Sequence, residues 1–237
     1  MNDRAGLSSF LNGTVDELRN NRNIALVYLA IMVPLGALSG YFNPEDVGDS
    51  FGMGLVIDEA LLSQGPLAVI VVFATFVVGL VAHYWLIAAM TWQTSSPSFD
   101  RFLPFVGITI LSWIGIGLGL IVLLIPGIYL AVRWVAVLPL VLTRDDQAMD
   151  AFGDSNQLTR GYGWSIFGAS LILFLAVGAF TIVVGVFSVS LAGIGAIVTA
   201  LSAAVLESIS SVIFAGFTVT VYRQPGTNQE EPADAFK

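Results

Sequence analysis

Three ionisable side chains interrupt long apolar stretches of this chain: His83, Arg133 and Glu207. Inside a membrane such groups are rare and cost roughly 2.5–3.5 kcal/mol each at the centre of a span on insertion scales, so each is a functional suspect by default. Arg133 and Glu207 carry opposite charge. An ion pair between them would offset part of that cost and is a structural reason sufficient to keep both. Arg133 could equally snorkel to the headgroups or meet a lipid phosphate, or the three groups could line an internal polar path. Glu207 lies nearer mid-span, with Ser202, Ser208, Ser210 and Ser211 around it in sequence. His83 has the protonation chemistry of a shuttle, with an unperturbed pKa of about 6.5, but a neutral hydrogen-bonding core histidine is the plainer role.

No reaction is spelled out beside these groups. The chain has no P-loop, no nucleotide-binding glycine fingerprint, no HExxH pair and no GxSxG elbow, and one histidine cannot build the usual multi-histidine metal site. Cysteine is absent, which removes thiolate metal sites and cysteine nucleophiles. Acidic residues cluster at Glu45, Asp46 and Asp49 without the spacing of an EF-hand loop, so a solvated loop is the expectation there. The chain is therefore expected to be non-enzymatic, with no metal or other cofactor.

The elements that must position these groups follow from hydropathy. A 237-residue chain with 56% hydrophobic and 11% charged residues cannot hide its apolar surface in a water-soluble globule. The expected fold is all-α, a polytopic membrane protein with six transmembrane helices at about 24–42, 67–92, 103–125, 128–142, 164–187 and 191–221. Phe102 to Leu142 would be about 60 Å long as one helix against a ~30 Å hydrocarbon core, so it must be two spans. Pro126 and Gly127 are the natural place for that hairpin, since proline cannot continue the ladder and glycine reaches turn conformations.

Eight of the nine basic residues (Arg4, Arg19, Arg22, Arg101, Arg144, Arg160, Arg223 and Lys237) fall in alternate inter-span segments, and the segments between hold none. By the positive-inside rule both termini are cytoplasmic. Leu7, Phe10/Leu11, Val15 and Leu18 recur at helical spacing, which makes residues 1–23 a cytoplasmic interfacial segment. A second interfacial helix with Met149, Phe152 and Leu158 on one face is expected between spans four and five. The membrane domain covers 24–222, and 223–237 reads as a disordered cytoplasmic tail. Residues 1–23 contain no signal-type apolar core, so the first span is expected to act as an uncleaved anchor. The net charge of −8 makes nucleic acid an unlikely partner. Gly115 and Gly119 form a GxxxG, and Ala192, Ala196, Ala200, Ala204 and Ser208 repeat at fourfold spacing, which lets helix backbones approach closely, within the chain or against a partner.

The stretch Ile125-Pro126-Gly127-Ile128-Tyr129-Leu130, followed by Arg133-Trp134, Pro139, Ser155, Leu158 and Gly161, resembles a bacterial family. It is similar to the membrane domain fused to some glycerophosphoryl diester phosphodiesterases, and to its stand-alone six-helix relatives. The resemblance implies a bacterial inner membrane. Enzymatic activity does not carry over, because the acidic and histidine metal ligands of the phosphodiesterase domain have no counterpart in this sequence. The expected role is that of a scaffold, accessory subunit or assembly partner, in contact with membrane lipid and with a membrane-protein partner or a second copy of itself. The alternative is a small transporter or channel for a solute or lipid that uses Glu207, Arg133 and His83.

Overall fold

The computed structural model describes residues 6–42, 59–144, 148–190 and 196–227, and every regular element among them is a helix. The acidic segment at 43–58 and most of the expected tail, 228–237, lie outside the described residues. The helices are α1 (Leu7–Asn20), α2 (Arg22–Phe42), α3 (Glu59–Ser63), α4 (Pro66–Trp92), α5 (Phe102–Val122), α6 (Leu124–Arg133), α7 (Val137–Thr143), α8 (Asp150–Leu158), α9 (Gly163–Ser190) and α10 (Ala196–Thr227). Six stretches are long and apolar enough to cross a membrane: Arg22–Phe42, Pro66–Trp92, Phe102–Val122, Leu124–Thr143, Gly163–Val186 and Ile197–Gln224. The chain is a multi-pass integral membrane protein.

Each span falls where hydropathy puts it, but two boundaries are decided by other forces. The reversal between the third and fourth spans is a single extended residue, Leu123, at φ −156° and ψ 129°. Pro126 and Gly127 follow it, inside the first turns of α6. A proline in the first turn loses nothing, since the N–H it lacks would have no intrahelical partner there. Gly127 serves space rather than turn geometry. A Cβ built on it would stand 2.5 Å from the backbone nitrogen of Leu120, so α5 and α6 touch backbone to backbone. Gly119 lies in the same contact, facing Gly127, and Gly115 gives room to the Trp134 ring. The hairpin residues and the GxxxG are thus two halves of one interface.

The fourth span is broken at Trp134–Ala136 into α6 and α7. Pro139 supplies the reason: it has no N–H to give the carbonyl of Val135, and its ring clashes with that carbonyl in a continuous helix. The sixth helix outruns its expected end at Val221. It continues through Arg223 and Gln224 to Thr227, so those five residues are helix rather than disordered tail.

The chain divides into two compact units. One gathers Met1–Asn21, Ile87–Ile172 and Ala215–Lys237, and the other gathers Arg22–Leu86 and Leu173–Phe214. In the second unit Ala200 and Ala204 are buried, and Gly36 of α2 lies so close that its missing Cβ would sit 3.0 Å from Ala204. Ala196 of the same small-residue repeat opens α10. The short helix α3 buries Leu61 against Ala68 and Val72 of α4, and Gln64 Nε2 donates 2.6 Å to the carbonyl of Phe42.

The first unit holds α1 firmly. Phe10, Thr14 and Glu17 form its buried face, with Phe10 edge-on to Tyr162 at 6.3 Å. Leu7 packs onto Gly168 of α9, and Leu18 and Thr14 pack onto Gly216 of α10. Val15, expected on the apolar stripe, is 45% exposed. The helix is therefore seated on protein, and its contact stripe runs through Glu17.

Candidate functional site

Two polar constellations are built inside the first unit. The tighter one joins α1, α4 and α10. Arg223 Nη1 donates to both carboxylate oxygens of Glu17 at 2.7 Å, and its Nη2 donates to the carbonyls of Met90 at 2.7 Å and Thr91 at 3.2 Å. Asn21 Nδ2 completes the set with 2.7 Å to Glu17 Oε1. Met90 and Thr91 lie in the last turn of α4, whose carbonyls have no intrahelical donor, so the guanidinium caps that helix and complements its dipole as well as pairing Glu17. Gln224 Nε2 adds 2.7 Å to the carbonyl of Ser9. The signal for this site is in the sequence: Phe10, Thr14 and Glu17 share one helical face at spacings of four and three. The expected stripe of Leu7, Phe10/Leu11, Val15 and Leu18 includes Phe10 and passes Glu17 by.

Burial pushes the Glu17 carboxyl above its ordinary range, while the charge of Arg223 and the donors of Asn21 and Arg223 pull it back without cancelling the rise. A raised folded-state pKa means that the folded form binds the proton more tightly. Stability from this group is therefore greatest below the unfolded carboxylate range and declines as pH rises through the folded value. Acidification from neutrality through the carboxylate range is expected to tighten the seating of α1. Amide exchange of residues 10–18 that quickens at the lower pH, after correction for intrinsic rates, would contradict this.

The second constellation surrounds the break in the fourth span. Val137 N donates to the carbonyl of Trp134, at 3.1 Å, which leaves the carbonyl of Arg133 outside the helical ladder. Ser155 of α8, fully buried, donates to that carbonyl at 2.7 Å. Thr159, also fully buried, donates to the carbonyl of Ser155 at 2.8 Å and accepts from Arg133 Nη1 at 3.5 Å. The Arg133 guanidinium stacks over Tyr129, one turn back, at 5.2 Å. Phe152 stands against Trp134 at 4.6 Å. Beside them Arg144 forms an ion pair with Asp154. The buried face of α8 and its C-cap is thus Ala151, Ser155 and Thr159 at fourfold spacing, and Met149, expected on one interfacial face with Phe152 and Leu158, is 59% exposed. Gly161, at φ +91°, makes the left-handed turn that leads into α9.

Arg133 is held from the polar segment that also carries Arg144 and Arg160. Substituting Ser155→Ala would leave the freed carbonyl of Arg133 without a donor, and a loss of about 1–3 kcal/mol is expected. A mixed-micelle unfolding titration of the variant that overlays the parent curve would remove this bond from the account.

Pro126, Gly127, Tyr129, Arg133, Trp134, Pro139 and Ser155 are among the residues that carry the family resemblance. The family model for the membrane domain of glycerophosphoryl diester phosphodiesterase matches residues 105–223, half of the chain. The chain belongs to that family. The match covers most of α5, all of α6 to α9 and most of α10, so it includes the α5–α6 contact, the Arg133–Ser155–Thr159 cluster and Arg223, and leaves α1 to α4 outside. No curated protein and no solved structure matches the chain.

Of the three intramembrane groups, Arg133 belongs to the first unit, and His83 and Glu207 belong to the second. His83 is half-buried on α4 beside the fully buried Tyr84. Glu207 is exposed on α10, one turn before Ser211, whose side chain shares a hydrogen bond with Tyr28. Among the described residues no group of three or more histidine, aspartate or glutamate side chains is placed to hold a metal ion.

Proposed function

We propose that this protein is a non-enzymatic scaffold, accessory subunit or assembly partner in a bacterial inner membrane, with both termini cytoplasmic. The observation that supports this reading most is where the buried polar groups end. Arg223, Glu17, Asn21, Ser155 and Thr159 are spent on one another and on main-chain carbonyls, so they clamp helices together. Nearby, the space between α7 and α8 amounts to about 10 Å³, room for one water molecule. Outward faces are apolar over long stretches, for example Ile121, Val122, Leu124 and Ile125 around the hairpin tip. The orientation rests on the basic segments around Arg19, Arg101, Arg144 and Arg160.

The test is affinity purification of the full chain from its native membrane in mild detergent. A defined membrane protein at near-stoichiometric yield is expected. Recovery of the chain alone at high expression would refute the role.

A small transporter or channel is the second reading, favoured by the exposed carboxylate of Glu207 within a membrane-spanning segment. It requires proteoliposome flux that Glu207→Gln abolishes. Flux that survives both this change and Arg133→Ala would end it.

A further inference from the structure

The Arg133 guanidinium carries five N–H donors in a planar fork. One of them makes a single long bond to Thr159, and among the described residues no carboxylate pairs with the group. On α8, Asp154, the neighbour of Ser155, is bonded to Arg144. Glu17 is likewise held by Arg223. Arg133 is half-buried, its remaining donors are available to an anion, and the site is open to one. Tyr129, under the guanidinium, is 53% exposed. The base of the site is rigid, because Ser155 locks the Arg133 carbonyl and Thr159 is fixed by its own bond to Ser155.

We propose that Arg133, Tyr129 and Thr159 form a binding site for a phosphate group, presented either by a phospholipid headgroup or by free phosphate. The planar fork matches two phosphate oxygens, where an ammonium would offer only a point charge. The Thr159 hydroxyl sets the rotation of the fork, and the Tyr129 ring holds its face. Arg160, in the same inter-span segment and exposed, adds positive potential but no built contact.

The test uses the purified full chain in two arms. Native mass spectrometry compares retention of phosphatidylglycerol with that of a phosphate-free glycosyl diacylglycerol. Thermal unfolding in nanodiscs made only of the glycolipid is followed as inorganic phosphate is added. The wild type should retain the phospholipid on the order of tenfold better, the scale of one charge-assisted contact. Arg133→Gln should lose that preference, and Arg160→Gln should keep it. A phosphate-dependent rise in Tm without any lipid preference would assign the site to soluble phosphate. If Arg133→Gln does not fold, Arg133→Lys decides, since it keeps the charge and loses the fork and should lower retention several-fold. Wild-type protein with no preference in either arm overturns the proposal. So does a folded Arg133→Gln, or Arg133→Lys where the glutamine variant fails, that matches the wild type in both arms.

Discussion

Replacing Arg223 with alanine should release α1 and lower stability by about 3 kcal/mol, the lower end of what removing one partner from a buried ion pair costs. The lower end applies because the Arg223 side chain is 28% exposed and the Glu17 side chain 8%. Three losses coincide in this variant. Glu17 is left buried without its cation, and the Met90 and Thr91 carbonyls lose their donor at the end of α4. Glu17→Gln should cost much less, since an uncharged amide still offers an oxygen to Arg223 and burial no longer opposes a charge. Combining the two changes should recover part of the loss, because no carboxylate then remains unpaired. Limited proteolysis within residues 7–20 and a mixed-micelle unfolding titration would report both. If Arg223→Ala leaves cleavage of α1 and the unfolding midpoint unchanged, the clamp has no energetic role.

Gly127→Ala is the second change with a large expected effect. The added methyl would meet the Leu120 nitrogen and Cγ at 2.5 Å, and backbone cannot swing aside as a side chain can. Overpacking of this kind costs about 1–3 kcal/mol, and a contact with main chain belongs at the upper end. Gly117→Ala is the matched control on α5, where an added Cβ meets nothing within 4 Å and helix propensity favours alanine. A thermal unfolding series should therefore place Gly127→Ala well below the parent and Gly117→Ala at or above it. Equal stability of the two variants would mean that α5 and α6 are not in backbone contact.

These two sites differ in how far they could be read from residues alone. The small-residue motif, the Pro126-Gly127 pair and the motif running through Arg133 and Ser155 all stand out in sequence, because membrane helices advertise close contacts by lacking side chains. Their roles were less legible. Gly127 reads as a turn residue, yet the chain reverses four residues earlier at Leu123. The break at Trp134–Ala136 is implied by Pro139 and is hidden by the unbroken hydropathy around it. Glu17 illustrates a different failure: on an amphipathic helix, a charged residue is assigned to the wet face unless its partner is known. That partner, Arg223, lies 206 residues away.

The sequence by itself determined the class of this protein, its six spans and the family to which half of it belongs, because each of these follows from local composition. Hydropathy over about twenty residues decides a span regardless of what the rest of the chain does. Only the tertiary structure decided what the charged groups do. Arg133 could be read as partner to Glu207, as a headgroup anchor or as part of a path; its guanidinium lies on Tyr129 and against Thr159. Arg223 read as a topology marker, and it clamps α1 and caps α4. A charge is written in one residue, but its energy depends on distance and burial against residues anywhere in the chain, and those are set only when the helices pack.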